Sequence, residues 1–157
     1  FPLKIYQDMG LKIKKISKTS YEFNCKTLKP IKKISTKEFP GYPTDLQAQL
    51  IATQLKSALK SKVVENIFEN RFIHIPELRR FGANLSIIGK TVTIHKTLNL
   101  FGAEVMATDI RASFSLIIAA MMSKGTTVIN RIYHLDRGYE DFDLKLKKCG
   151  VNISRKK

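Results

Sequence analysis

The sequence predicts an α/β protein made of repeated units, about two and a half of them. Three observations point there. Thr44-Asp45-Leu46-Gln47-Ala48 recurs as Thr108-Asp109-Ile110-Arg111-Ala112, and the same offset of 64 carries Val64 onto Val128 and Asn66 onto Asn130. The offset grows to 66 at Arg71 and Arg137 and at Leu78 and Leu144, then to 68 where Gly82-Ala83-Asn84-Leu85-Ser86 meets Gly150-Val151-Asn152-Ile153-Ser154, so two small insertions separate the copies. Met9-Gly10-Leu11-Lys12-Ile13 resembles the glycine-then-strand ending of both copies and marks the tail of a third. Self-similarity at such a period signals units that cannot bury their own faces and must pack together. The units are expected at residues 1–38, 39–100 and 101–157, all within one partial domain.

Each element has a local reason. After Thr44-Asp45, which offers N-cap oxygens, the chain from Leu46 to Leu59 holds neither Pro nor Gly and reads as a helix; its counterpart, Ala112 to Met122, is apolar enough for a buried one. Lys62-Val63-Val64 and Thr126-Thr127-Val128-Ile129 are short β-branched runs and read as strands. A second helix is expected from about Pro76 to Phe81, with a partner from about Tyr139 to Lys148, and the glycines Gly82 and Gly150 suit C-terminal caps. Asn84 to Ile88 and Thr91 to His95 follow as strands joined at Gly89-Lys90. The unit is therefore strand, helix, strand, helix, strand and often one strand more.

Composition bounds the class. With 157 residues, 43% of them hydrophobic and 26% charged, the chain is expected to be a soluble globular domain or part of a larger one. The longest stretch without charge, Ala112 to Ser123, falls far short of the ~20 apolar residues of a bilayer span, and no signal segment opens the chain; a cytoplasmic location and no membrane partner are expected. The opening residue is Phe, not Met, which suggests a chain that begins inside something larger. Cys25 and Cys149 lack metal-ligand or redox spacing and read as reduced structural thiols, which removes disulfide scaffolds and zinc modules.

A net charge of +15 raises the question of nucleic acid. The distribution argues against it. Residues 1–40 hold ten Lys and three acids, the remainder eighteen basic and ten acidic residues, with no block of five like charges and no finger, RNA-binding sheet motif or clear helix-turn-helix. Lysines on solvated faces, with some steering of anionic substrates, account for the excess.

Charged residues where loops meet helix N-termini are the candidate site: Asp45, Asp109, Arg71, Arg111 and Arg137. Repeats place equivalent loops on one side, so these could converge on a cleft for an anion, with Arg forks for phosphate or carboxylate and a carboxylate to accept a hydroxyl proton. The aspartates read equally as helix caps, and the arginines as structural ion pairs, Arg71 with Asp109 among them. His74, His95 and His134 have no metal spacing and read as packed or surface residues. No P-loop, G-x-G-x-x-G or nucleophile elbow is present.

Four long motifs then carry a resemblance. Gly41-Tyr42-Pro43-Thr44-Asp45-Leu46-Gln47-Ala48-Gln49, Glu65-Asn66-Ile67-Phe68-Glu69-Asn70-Arg71-Phe72 with Pro76-Glu77-Leu78, Gly102-Ala103-Glu104-Val105-Met106-Ala107-Thr108-Asp109-Ile110-Arg111-Ala112-Ser113 and Arg131-Ile132-Tyr133-His134-Leu135-Asp136-Arg137-Gly138-Tyr139-Glu140 resemble the C-terminal part of the UDP-N-acetylglucosamine 1-carboxyvinyltransferases, within the enolpyruvyl transferase family. The resemblance covers nearly the whole chain and is strongest from Phe39 to Gly150; the sister enzymes of shikimate metabolism look less similar in these motifs. It implies an inside-out α/β barrel of repeated βαβαββ units, here incomplete. It also implies transfer of the enolpyruvyl group of phosphoenolpyruvate to the 3-hydroxyl of UDP-N-acetylglucosamine with release of phosphate, the first committed step of peptidoglycan synthesis.

By motif position, Asp45 resembles the carboxylate that contacts the sugar and removes its hydroxyl proton. Ile67 resembles a contact to UDP-N-acetylglucosamine made through its backbone. Arg111 and Arg137 resemble the arginines around the enolpyruvate phosphate and carboxylate, and Arg71 with Asp109 a charged pair lining the closed cleft. Neither metal nor cofactor is implied. The family's N-terminal domain supplies a Lys, an Asn and a mobile loop whose Cys is the general acid, and none of these maps onto this chain, Cys25 and Cys149 included. That missing domain is thus an implied partner, and the isolated chain is expected to be inactive. The competing readings are a non-catalytic remnant and a basic α/β domain that binds nucleic acid.

Overall fold

A computed structural model describes residues 2–57 and 59–156. Phe1, Ala58 and Lys157, which belong to the expected first unit, first long helix and third unit, lie outside the described residues. The chain opens with helix α1 (Pro2–Asp8) and the hairpin β1 (Lys12–Lys15) and β2 (Tyr21–Asn24). Strand β3 (Lys33–Ser35) leads through a 3-10 turn (Thr44–Leu46) into α2 (Gln47–Thr53), then β4 (Ser61–Val64), α3 (Ile75–Arg80), β5 (Leu85–Ile88) and β6 (Thr91–Ile94). The last run is β7 (Glu104–Met106), α4 (Ile110–Met122), β8 (Val128–Asn130), α5 (Tyr133–Asp136) and α6 (Phe142–Lys148). From β3 to β6 the order is strand, helix, strand, helix, strand, strand, as the repeat predicts.

Strand pairing follows from that order. β3 lies parallel to β4, β4 antiparallel to β6 and β6 antiparallel to β5, giving the sheet order β3-β4-β6-β5; β7 pairs parallel with β8. A parallel pair needs a crossover, and α2 and α4 supply the two crossovers. These helices pack against each other on the inside. Gln47 through Ala52 of α2 are all buried, and Leu50, Ile51, Leu55, Ile75, Leu78, Phe81, Val92, Ile94, Leu100 and Leu116 join one core. Each fully buried Leu or Ile contributes roughly 1.5–3 kcal/mol relative to exposure. Helices inside and sheet outside is the inside-out arrangement of the expected fold class. α3 fastens β7, since Glu77 Oε2 accepts from Met106 N–H at 2.8 Å and Arg80 Nε donates to the Glu104 carbonyl at 2.7 Å.

Five features differ from expectation. The helix expected to run to Leu59 ends at Thr53, because Gln54 is buried and its Oε1 accepts from Ile31 N–H (2.9 Å) and Ser61 Oγ (3.2 Å), which turns the chain toward β4. The helix expected from Tyr139 to Lys148 starts only at Phe142, after Asp141 at φ +46. Ahead of it stands the unanticipated α5, whose Leu135 is fully buried with Ile117 and Phe142, while Gly138 lies so close to Ile110 that a Cβ would overlap its Cδ1. Asn152–Ser154, which the repeat aligns with the expected strand residues Asn84–Ser86, forms no strand, and among the described residues no strand lies beside it. α1 was not anticipated either, since Pro2-Leu3-Lys4-Ile5 carries no capping residue. The glycine caps hold, with φ +85 at Gly82 and +87 at Gly150.

The joint between β6 and β7 has no spare room. Gly102 N–H donates to the Lys124 carbonyl at 2.7 Å, and a Cβ on Gly102 would collide with the Thr126 backbone. Gly102→Ala is expected to destabilise the chain by about 1–3 kcal/mol, read as a lower midpoint in urea unfolding; an unchanged midpoint would show that the joint yields.

Candidate functional site

The turn before α2, the loop after β4 and the first turn of α4 meet at one carboxylate. Asp45 Oδ1 accepts from Arg71 Nη2 at 3.0 Å and forms an ion pair with Arg111, whose Nε lies 2.5 Å away. The carboxylate is 57% exposed, while Arg71 is only 20% exposed and stacks over the Phe68 ring with its Cζ 4.7 Å from the centroid. Asn70, immediately before Arg71, has φ +52, a left-handed conformation that Asn tolerates better than most residues. Beside this cluster lies an open cavity of about 510 Å3 lined by Glu65, Phe68, Asn70, Arg71, Phe72 and Lys90, among others.

Beneath the cluster is a residue that the sequence did not single out. Glu65 is 1% exposed and accepts four hydrogen bonds: Thr36 Oγ1 (2.9 Å) and the N–H groups of Ile67 (2.9 Å) and Phe68 (3.2 Å) at Oε1, and Thr44 Oγ1 (2.8 Å) at Oε2. Apart from its place at the head of the second motif, its sequence signal is an acid at the C-terminal end of the β-branched run Val63-Val64, where a buried strand turns into a loop.

The other expected residues separate. Asp109 is a helix cap, its Oδ1 accepting from Arg111 N–H (2.7 Å) and Ala112 N–H (2.8 Å), so it positions the helix that carries Arg111. Asp45, at the equivalent place in its unit, caps nothing: α2 has no side-chain cap. The expected pair of Arg71 with Asp109 is therefore corrected to Arg71 with Asp45. Ile67 is partly buried, its N–H is given to Glu65, and its carbonyl accepts no hydrogen bond from the described residues. Arg137 stands apart from the cluster, exposed in a second open depression of about 700 Å3 with Tyr139, Asp143 and Arg155. Among the described residues it is the one arginine without a hydrogen bond or ion pair, so its guanidinium fork is open. Cys25 and Cys149 are free and exposed, not packed as structural thiols would be.

His74 is packed, 1% exposed, with both ring nitrogens unpartnered. Burial pushes its pKa down from 6.5 to about 4; the Asp109 carboxylate opposes that shift and the Arg71 guanidinium adds to it. Among the described residues no three His, Cys, Asp or Glu side chains are grouped as a metal centre requires, and no helix is long and apolar enough to cross a membrane. The arrangement is thus one exposed carboxylate gripped by two guanidinium groups from different segments. It suits an anion that competes for the guanidinium forks and a hydroxyl that approaches the carboxylate.

The chain as a whole is similar to known proteins. Residues 1–146 match the family of EPSP synthase (3-phosphoshikimate 1-carboxyvinyltransferase). The UDP-N-acetylglucosamine 1-carboxyvinyltransferase of Rhodopseudomonas palustris strain TIE-1 is 56% identical over 122 residues, 78% of this chain and 28% of that protein. Its namesake from Campylobacter lari strain RM2100 is 51% identical over 141 residues, 89% of this chain and 34% of that protein. Among solved structures, the enolpyruvyl transferase NikO from Streptomyces tendae is similar with a TM-score of 0.84 and 24% identity, over 98% of this chain and 35% of that one. EPSP synthase from Acinetobacter baumannii follows with a TM-score of 0.61 and 14% identity, over 81% of this chain and 31% of that one. These structures share the fold. The chain spans only 28–34% of the length of the curated relatives it matches.

Two outcomes are expected. Asp109→Ala loses a cap and about 1 kcal/mol of stability, whereas Asp45→Ala, which breaks an exposed ion pair, stays within about 0.5 kcal/mol in urea unfolding; the reverse order would refute the division of roles. Because His74 titrates lower folded than unfolded, the unfolded state binds more protons between about pH 6.5 and 4 and stability falls as pH drops through that window. His74→Phe should remove up to about 3 kcal/mol of that fall, measured as the difference between the two proteins' stability–pH curves; parallel curves would contradict the assignment.

Proposed function

Because the chain belongs to the EPSP synthase family, we propose that it forms one wall of a site that transfers the enolpyruvyl group of phosphoenolpyruvate to the 3-hydroxyl of UDP-N-acetylglucosamine, releasing phosphate. The name of the two relatives supports the sugar nucleotide. The observation that carries the reading is Asp45 Oδ1 held by Arg71 and Arg111. Both substrates are anionic, and guanidinium forks match phosphate and carboxylate. An incoming anion that draws an arginine away frees lone pairs of Asp45 for the sugar hydroxyl, whose proton it takes as the oxygen adds to C2 of phosphoenolpyruvate and the general acid protonates C3; loss of a C3 proton then re-forms the double bond and expels phosphate. Arg111, with the open fork of Arg137, faces the phosphate and carboxylate of phosphoenolpyruvate. Ile67 meets the sugar nucleotide through its carbonyl, and Arg71 and Asp109 line the cleft.

Within this reading the general acid comes from the complementary N-terminal domain, so the chain alone does not turn over. The three units at 1–38, 39–100 and 101–157 form part of the C-terminal domain of such an enzyme, working in the cytoplasm on peptidoglycan synthesis. The test is phosphate release from phosphoenolpyruvate with UDP-N-acetylglucosamine, using this chain mixed with the N-terminal domain of a relative. Release should require both parts and fall by about 10²–10⁴-fold with Asp45→Asn. No release from a demonstrated complex of folded parts, or full release with Asp45→Asn, would overturn the proposal.

A further inference from the structure

Glu65 is a carboxylate buried without an ion pair among the described residues, and its partners are two hydroxyls and two backbone N–H groups. Burying such a charge costs several kcal/mol, and an apolar residue at the end of a β-branched strand would pack at lower cost. The identity of the donors gives the carboxylate a purpose. Thr44 directly precedes Asp45. Ile67 N–H is held, and Phe68, whose N–H is held too, carries the ring under the Arg71 guanidinium. Thr36, the fourth donor, also receives Asn66 N–H at 2.8 Å, which secures the loop from the opposite side. One side chain thus joins the turn that presents the carboxylate to the loop that presents its arginine.

We propose that Glu65 is a positioning residue that fixes Asp45 and Arg71 relative to each other through Thr44 and Phe68. The inference rests on the proposed function only in its effect on rate; the mechanical link is independent of it. Thr44→Val removes the hydroxyl at nearly constant volume, cutting the arm from Glu65 to the Asp45 turn. Thr97→Val removes a buried hydroxyl that accepts from Asn84 N–H at 3.0 Å, outside the Glu65 cluster, and is the control for a merely structural loss.

In this chain mixed with the N-terminal domain of a relative, Thr44→Val should lower kcat at least tenfold while changing the KM for UDP-N-acetylglucosamine less than threefold. Thr44→Ser should restore kcat, and Thr97→Val should cost similar stability with kcat within threefold. In an Asp45→Asn background Thr44→Val should add less than twofold, because the group being positioned is gone. Equal kcat losses for the two valine variants, or multiplicative losses with Asp45→Asn, would overturn the assignment. If the unmutated mixture releases no phosphate, the proposed function fails, and the link is decided by amide exchange in the chain alone. Leu46 N–H, which donates to the Pro43 carbonyl at 3.2 Å, should exchange at least tenfold faster with Thr44→Val while Val92 is unchanged. Unchanged exchange at Leu46 would overturn the positioning role.

Discussion

The packing of α2 against α4 is the constraint on which the rest of the structure depends. Each helix crosses between two parallel strands, and each must be buried because the sheets lie outside. That shared interior brings the turn before α2 and the first turn of α4 to the same place, and there Asp45 meets Arg111. The loop after β4 arrives from the sheet and adds Arg71. A site assembled from three separate segments is thus a consequence of how two helices hide from water. No single segment holds it.

The repeat was legible because it is a property of order, and order needs no side-chain detail. So were the strands β4 to β6 and the glycine caps, where local chemistry and the fold agree. Thr44-Asp45 and Thr108-Asp109 show where legibility stops. The same dipeptide stands before both inner helices, yet Asp109 caps its helix and Asp45 turns outward to two arginines. The difference lies in partners brought in from elsewhere in the chain, which a local motif does not encode. Glu65 was hidden for the same reason: an acid in a loop reads as solvated until Thr36 and Thr44 close over it. Gln54 likewise looked like one more helical residue, and its buried amide stops the helix. The resemblance supplied the proposed roles of Arg137 and Ile67; residue chemistry alone marked Arg137 as a candidate and passed over Ile67.

Basic residues divide by type. Every described lysine is exposed, whereas the arginines, Arg137 apart, hold a carbonyl, a carboxylate or a phenol. A compact ammonium on a flexible stem is best left in water, while a planar fork with several donors can satisfy fixed acceptors. The +15 charge is therefore a surface property laid over a framework that uses its arginines sparingly and specifically. The distinction also explains why the count of basic residues said little about function and the positions of Arg71 and Arg111 said much.

The left-handed backbone at Asn70 has a consequence for entropy. An arginine side chain carries about 2 kcal/mol of rotamer freedom, which a flexible one would lose only when its ligand arrived. Here the reversal at Asn70 and the face of Phe68 restrict Arg71 before anything binds. Its disorder is surrendered during folding, so the encounter with an anion needs only an exchange of partners and no search among conformations.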